Sequence, residues 1–303
     1  MIRTVLGDIS PQAVTGAYMH EHLIIDSPIV KNVMPHILLD DPEAAVSEIL
    51  PCRDRAINLF VDCMPGESGR DIAKLKYISK TAGIHIVAST GMHNPKYYEA
   101  SSVYLSADRD IYRQIMVEDI KNNNCGIIKI HTVSDELSEL ERELFAGAVE
   151  AQNITGAPIL THCEEGRSAL KQIALLESLE ANLNRVVLSH TDKQPDRTYH
   201  REILESGVNV EYDQSLRQLL TTKKDSLSLT IDMCEAGYSS QIMLGTDGAR
   251  RSLWKSLGGS PGLVALIRDW RLMLEQAGLT EYIIGCLFKT NPQKFLDFEE
   301  RKL

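Results

Sequence analysis

The run GAYMHEHL (residues 16–23) is short, largely apolar and typical of a β-strand, yet it carries two histidines two positions apart. On a strand, side chains at i and i+2 point to the same face, so His20 and His22 are predicted to lie side by side. Two imidazoles on one face of a buried strand indicate a partner that uses nitrogen ligands. The pair alone is weak support for a metal, because a lone strand histidine is more often a hydrogen-bonded core or rim residue.

Seven similar runs follow, with helical stretches such as DPEAAVSEIL (41–50) and SELERELFAGAVEAQNITG (138–156) between them. Strands that alternate with helices predict a parallel sheet with crossover helices. Eight units fit a closed barrel better than an open doubly wound sheet, and no G-x-G-x-x-G follows a strand. We therefore predict an α/β fold, a (β/α)8 TIM barrel, as a single domain over residues 1–303. The seven runs are AINLFVDCM (56–64), IHIVAST (84–90), GIIKIHT (126–132), APILTHC (157–163), RVVLSHT (185–191), VNVEYDQ (208–214) and QIMLGTD (241–247).

Composition excludes several classes of protein. Hydrophobic residues make up 43% of the 303 residues, which is ample for a core, and the formal net charge of -10 argues against a nucleic-acid surface. The apolar runs are far shorter than the ~20 residues that span a bilayer, and the N-terminus lacks the apolar stretch of a signal peptide. The six cysteines form no C-x-x-C pair. These features predict a cytoplasmic protein with reduced cysteines and no membrane or nucleic-acid partner.

Polar residues cluster at the carboxyl ends of five predicted strands. In a TIM barrel those ends meet at one mouth, where active sites lie, and histidine with carboxylate is the ligand set of borderline divalent ions. Each residue has a plainer interpretation: a lysine can form an inward ion pair, and an aspartate before glycine can be a turn residue. Their coincidence at one end favours a metal site. The residues are His20, His22, Lys129, His131, His162, His190 and Asp247.

The number of ligands indicates two metal ions. Four histidines and one aspartate exceed the three protein ligands, plus a water, that an open catalytic zinc usually takes. Two cations about 3.5–4 Å apart need a bridging ligand. The amine of Lys129 does not bridge as a cation, but after reaction with carbon dioxide it is a carbamate with two anionic oxygens. Lys129 is therefore predicted to be the bridge.

The motifs YMHEHL, IIKI, THCEEG, LSHTD, LGTDGAR and NPQKFL, in this order over nearly the whole chain, resemble the phosphotriesterase family of the amidohydrolase superfamily. The resemblance implies a binuclear centre of two divalent ions, with zinc as the first expectation and manganese or cobalt as alternatives. His20, His22 and Asp247 match the ligands of the more buried ion. His162 and His190 match those of the more exposed ion, and Lys129 matches the N6-carboxylated bridging lysine. The resemblance also implies a homodimer.

This site predicts metal-assisted hydrolysis. Coordination acidifies water, and Asp247, beside it, is placed to accept its proton and deliver it to the leaving oxygen. Glu21 points away from its two histidine neighbours, so a structural role is expected. His131 shares the face of Lys129 and is expected either to support a ligand or to contact substrate; the two readings stay equally open.

The loops that follow the last two strands indicate the substrate. Arg250, Arg251 and Lys255 follow the eighth strand and Arg217 follows the seventh, so four cations favour an anionic group, although a solvated basic loop is the plainer interpretation. Tyr98 or Tyr97 is expected to position a ring.

The leading functional prediction is a carboxylic ester hydrolase that acts on a small anionic substrate, a sugar lactone that carries a phosphate. Phosphotriesters and acyl-homoserine lactones are the alternatives within the same chemistry, together with amides and phosphodiesters, because the attacking group is common to all and only the pocket differs. The alternative outside enzymes is a ligand-binding barrel with a degenerate metal site. Metal analysis separates these two classes.

Overall fold

Eight parallel strands form a barrel at the centre of the computed structural model, which describes residues 1–298. A two-stranded antiparallel hairpin, β1 (Ile2–Thr4) and β2 (Gly7–Ile9), precedes the barrel and was not predicted. Each barrel strand pairs with the next along the chain, which confirms the predicted fold, and all eight strands lie within three residues of their predicted bounds. The barrel strands are β3 (Ala17–Glu21), β4 (Leu59–Asp62), β5 (His85–Gly91), β6 (Cys125–Thr132), β7 (Ile159–Cys163), β8 (Val186–Ser189), β9 (Asn209–Tyr212) and β10 (Ile242–Leu244).

The seam between the last and first strands is closed by a few specific contacts rather than a regular ladder, within residues 1–298. The amides of Thr246 and Asp247 donate to the carbonyl of His20 at 3.1 and 3.0 Å. The buried carboxylate of Glu21 accepts from the amide of Thr246 at 3.0 Å and from its hydroxyl. Glu21 therefore has the structural role that its sequence position predicts, and it brings Asp247 beside the two histidines.

A β-bulge in β3 turns both histidines into the barrel. Ala17 and Met19 belong to the apolar cluster inside the barrel, whereas Tyr18 packs outside it against the helices. Simple alternation would continue with His20 outside, like Tyr18. The register of the β3–β4 pair shifts between Tyr18 and Glu21, and such a shift reverses the faces that follow it. His20 and His22 therefore point inward, above an apolar floor.

The helices surround the barrel and hold its strands in register. The carboxylates of Asp41 and Asp71 cap the N-termini of two helices, and a third helix begins with the capping box of Ser138 and Glu141. The helices are α1 (Pro28–Val33), α2 (Pro42–Arg53), α3 (Ile72–Ala82), α4 (Arg109–Asn122), α5 (Glu139–Thr155), α6 (Ala169–Ser178), α7 (Arg197–Glu205), α8 (Ser215–Leu219), α9 (Asp225–Met233), α10 (Arg271–Gln276), α11 (Glu281–Gly285) and α12 (Asn291–Leu296).

The C-terminal helices α11 and α12 form one irregular helix. A π-helical turn, Cys286–Thr290, joins α11 to α12, which begins at Asn291. All six cysteines are buried and free. Among residues 1–298, none of the helices has the length and apolar character needed to cross a bilayer.

Candidate metal centre

Four histidines from three strands meet at the carboxyl end of the barrel. The ring of His20 lies 5.4 Å from that of His22 and 4.7 Å from that of His190, and the rings of His190 and His162 are 4.5 Å apart. Nε2 of His22 lies 3.4 Å from Oδ1 of Asp247. The structure therefore brings together the four histidines and the aspartate that the sequence predicts as ligands. The sixth predicted ligand, Lys129, is fully buried beside them but is not in direct contact with them.

Two sets of three donors could each hold a metal ion, because their ligand atoms lie within 4.8 Å of one another. One set is His20, His22 and Asp247, the grouping that the sequence predicts. The other is His20, His190 and Asp213, and it includes an aspartate that the sequence analysis overlooked. Asp213 directly follows β9, so the rule of strand ends that selected the other ligands would have found it.

Several buried donors of this centre have no hydrogen-bond partner among residues 1–298, which tests whether the residues fit a metal. The buried atoms without a hydrogen bond include Nζ of Lys129 and the Nδ1 atoms of His20, His22 and His162. A buried polar group left without a partner costs about 1–3 kcal/mol, so a cluster of them marks a place where an external group supplies the missing interactions. Nitrogen donors with carboxylates fit a divalent transition metal.

Three of the four histidines are in the protonation state that ligation requires. Burial, with the nearby Lys129, holds the pKa of His20 well below its usual value, and burial lowers the pKa of His162 to about 3. Burial also lowers the pKa of His190. These imidazoles are therefore neutral at pH 7, and a neutral ring has a lone pair free for a metal.

Two carboxylates contact the histidines of the centre: Glu211 lies in β9 and Asp213 directly follows it. Asp213 lies 2.9 Å from Nδ1 of His190 and also accepts its backbone amide at 3.0 Å. Glu211 is fully buried, neither of its oxygens has a hydrogen-bond partner, and Oε1 lies 3.4 Å from Nδ1 of His20. Burial raises the pKa of Glu211 and raises that of Asp213 to about 6. The contact from Asp213 occupies Nδ1 of His190 and leaves Nε2 for a ligand.

Asp247 is held ionised and in a strained turn. Burial alone would raise its pKa, but Arg217, whose guanidinium lies 2.9 Å from Oδ2, and the contact from His22 outweigh burial, so the pKa lies well below its usual value. The φ angles of Asp247 and His190 are +43° and +65°. Residues other than glycine adopt this region at a cost, and such strain concentrates at functional sites.

A pocket of about 310 Å³ opens above the centre, and four cationic side chains line it together with the carboxylates of Glu164 and Glu165. His22, His162, His190 and Asp247 form its floor. Arg217 and Arg250 line it, as the sequence predicts, and so do Lys96 and Lys193, which the sequence analysis missed because it considered only the last two loops. The ring of Tyr97 also lines the pocket, stacked against His93 at 4.7 Å.

Three expected substrate contacts lie elsewhere, and so does His131, for which ligand support and substrate contact were equally open. Arg251 donates to the carbonyl of Leu38 at 2.9 Å, and Lys255 is exposed outside the pocket. Tyr98 is buried, and its hydroxyl accepts the amide of His93 at 3.0 Å, while His131 is buried against the carbonyl of Met92. The spacing of side chains along a loop does not reveal which way each one turns, so these positions were indistinguishable from Arg250 and Tyr97 in the sequence.

Comparison with known proteins agrees with this geometry. A phospho-furanose lactonase of Mycoplasmopsis synoviae (strain 53) is 27% identical over an alignment that covers 99% of this chain and 92% of the relative. An aryldialkylphosphatase of Saccharolobus solfataricus is 25% identical over an alignment that covers 91% of this chain and 93% of the relative. The crystal structure of a lactonase from Listeria monocytogenes matches the fold with a TM-score of 0.92 at 24% identity and covers 99% of both chains.

The sequence model of the phosphotriesterase family matches residues 1–296, which contain every element of the barrel and every residue of the candidate centre. This chain therefore belongs to the phosphotriesterase family.

Proposed function

We propose that this protein is a metal-dependent hydrolase that opens the lactone ring of a small anionic substrate, a phosphorylated sugar lactone. One observation carries the proposal: two imidazoles that burial keeps neutral, those of His162 and His190, and the ionised Asp247 line a pocket that four cationic side chains also line. The name of the relative from Mycoplasmopsis synoviae, a phospho-furanose lactonase, supports this choice of substrate.

The residues fit two divalent ions, with zinc as the first candidate and manganese or cobalt as alternatives. His20, His22 and Asp247 would hold one ion, and His162 and His190 the other, with Lys129 as an N6-carboxylated bridge. Such a pair acidifies water and polarises a carbonyl oxygen. Lys129 fits the role of bridge because its amine is fully buried without a partner among these ligands.

The chain's own residues then divide the remaining work. Asp247 accepts the proton of the attacking water and delivers it to the leaving oxygen, and its ion pair with Arg217 fixes the carboxylate in place. Arg250, Lys96 and Lys193 attract the anionic group of the substrate from the pocket wall. The ring of Tyr97 offers a flat surface against which a furanose lies.

A substrate panel with metal analysis tests the reaction class. Purified protein is assayed against phosphorylated sugar lactones, unphosphorylated sugar lactones, acyl-homoserine lactones and paraoxon, with released protons followed by an indicator. We expect hydrolysis of the phosphorylated lactones and about two equivalents of metal. Hydrolysis of apolar lactones alone would reject the anionic substrate, and absence of metal from protein grown in ample zinc would favour a ligand-binding barrel.

The anionic substrate is tested by a pair of variants in one loop. Arg250→Ala should raise KM for a phosphorylated lactone by about tenfold, since a charge-assisted contact contributes about 1.5–3 kcal/mol, and should change KM for the unphosphorylated lactone little. Lys255→Ala removes a cation of the same loop that lies outside the pocket, so its KM values should match those of the wild type. An equal effect of Arg250→Ala on both substrates would indicate a merely solvated loop.

Phosphotriester hydrolysis is the second candidate, and the aryldialkylphosphatase among the relatives favours it. The same centre serves both reactions, but a neutral triester gains no charge attraction from the four cationic side chains that line the pocket.

We also propose that the protein is a cytoplasmic, single-domain homodimer. Light scattering during size-exclusion chromatography tests the dimer, with a monomer mass as the contrary result.

A further inference from the structure

The turn that follows β7 places a carboxylate directly against one of the candidate ligands. Oε2 of Glu164 lies 2.8 Å from Nε2 of His162. The opposite ring nitrogen, Nδ1, is buried and has no hydrogen-bond partner. A carboxylate accepts hydrogen bonds and does not donate them when ionised, so the ring proton of His162 belongs on Nε2. Glu164 has no other role in the function proposed above.

Close packing holds this turn rigidly. Glu165 and Gly166 have φ angles of +51° and +74°, which turn the chain sharply after Glu164. A Cβ on Gly166 would lie 2.9 Å from the carbonyl oxygen of His190, so the turn presses against the loop that follows β8. The side chain of Gln194 in that loop donates to the carbonyl of Glu165 at 3.1 Å. These contacts fix the backbone of the turn, and the backbone in turn fixes where the side chain of Glu164 begins.

Cationic side chains lie around Glu164. Lys96 and Lys193 line the same pocket as this carboxylate. A charged acceptor makes a stronger hydrogen bond to a ring N–H than a neutral one. His162 is therefore fixed in one tautomer and one orientation.

The neighbouring ligand, His190, is held by a carboxylate through the other ring nitrogen. His190 contacts Asp213 through Nδ1, which leaves Nε2 free, whereas His162 contacts Glu164 through Nε2, which leaves Nδ1 free. The two rings are 4.5 Å apart and nearly perpendicular, at 80°. Each imidazole thus has its own carboxylate at one ring nitrogen and leaves the other nitrogen free, the arrangement that orients histidine ligands in metal sites generally.

We infer that Glu164 is a positioning residue that holds the Nε2 proton of His162 and so orients this imidazole toward the metal centre. The inference rests on the proposed function, since it assumes that His162 is a ligand. It adds the side chain that orients this ligand.

Metal affinity tests the inference without reliance on activity. The apo protein and two variants, Glu164→Ala and Glu164→Gln, are titrated with zinc in competition with a chromophoric chelator. We expect Glu164→Ala to weaken one of the two binding steps by about 10- to 100-fold and to leave the other unchanged. Glu164→Gln should be intermediate, because its amide oxygen still accepts the ring proton without a charge. Equal affinity of Glu164→Ala and wild type, or equal losses in the two variants, would overturn the inference.

Glu165→Gln is the matched control. It makes the same change of charge in the same turn, but Glu165 makes no hydrogen bond to His162. Its zinc affinity should equal that of the wild type. A loss as large as that of Glu164→Gln would mean that charge alone, and not the hydrogen bond, determines affinity, and would overturn the inference.

The identity of the bound nitrogen is read by NMR. In protein labelled with ¹⁵N-histidine and loaded with ¹¹³Cd, we expect a cadmium–nitrogen coupling to Nδ1 of His162, assigned by its absence in His162→Gln. Coupling to Nε2 would overturn the inference. If the wild type binds no metal, the proposed function fails as well, whereas two bound ions with unchanged affinity in Glu164→Ala overturn only the inference.

Discussion

Lys129 is the residue whose surroundings most need an external partner. Its amine is fully buried with no hydrogen bond, and the nearby carboxylate of Glu211 is equally without one. An unpaired ammonium in such a place is costly, whereas the carbamate that forms with carbon dioxide offers two oxygens to a metal ion. The residue therefore suits a bridging carbamate better than a permanent cation.

Replacement of this lysine should empty the centre. In Lys129→Ala we expect most of the bound metal to be lost, because both ions lose a shared ligand, and a small carboxylic acid such as formate should restore part of it. Elemental analysis after desalting measures the metal content. Lys171→Ala, on the exposed surface, serves as the control. Full metal content and full rate in Lys129→Ala would reject the bridge.

Asp247 combines two roles that a conservative substitution separates. Asp247→Asn keeps an oxygen near the metal but does not accept a proton, so we expect kcat to fall by about 10²- to 10⁴-fold while some metal remains. The measurement is kcat together with metal content per protein. A variant that loses its metal in proportion to its activity would instead make Asp247 only a ligand.

At the scale of elements, the seam between β10 and β3 decides whether the ligands meet. A Cβ on Gly245 would lie 2.7 Å from both the amide nitrogen and the Cβ of His20, so these strands approach closely only because this residue is glycine. Across the same seam, Thr246 binds Glu21. The seam thus positions His20 and Asp247 together.

Widening this seam should damage both stability and the centre. We expect Gly245→Ala to lower the free energy of unfolding by about 1–3 kcal/mol, the usual cost of overpacking, and to reduce metal content. Gly285→Ala is the control, since a Cβ there meets no atom within 4 Å in a helix, where alanine is favoured. Chemical denaturation measures both variants. Equal stability of Gly245→Ala and wild type would show that the seam tolerates expansion.

For the whole molecule, bound metal should contribute to folding stability. Ligands that bind only the native state stabilise it by RT ln(1 + [L]/Kd), about 4 kcal/mol at a thousandfold excess over Kd. We expect the chelated protein to unfold at a lower temperature and added zinc to restore Tm, as measured by calorimetry. Lys129→Ala should respond much less to the chelator. An identical Tm with and without metal would mean that the described donors do not bind it.

Several features were readable from local pattern and others were not. Short apolar runs predict the strands of β3 to β10, and residues such as His162 and His190 stand out because polar side chains interrupt those runs at one end. The hairpin β1–β2 escaped because its three-residue strands carry too little periodicity. Asp213 and Lys193 follow the same rule of strand ends but were passed over.

The sequence by itself determined the barrel, its chain order and most of the candidate ligands, because the period of side chains along a strand and the position of strand ends are local properties. Only the tertiary structure decided that a bulge turns His20 inward, that Arg250 and not Lys255 reaches the pocket, and that Glu164 holds His162. These depend on register, side-chain direction and contacts between loops distant in sequence. No local pattern encodes them, since each arises from the packing of one element against another.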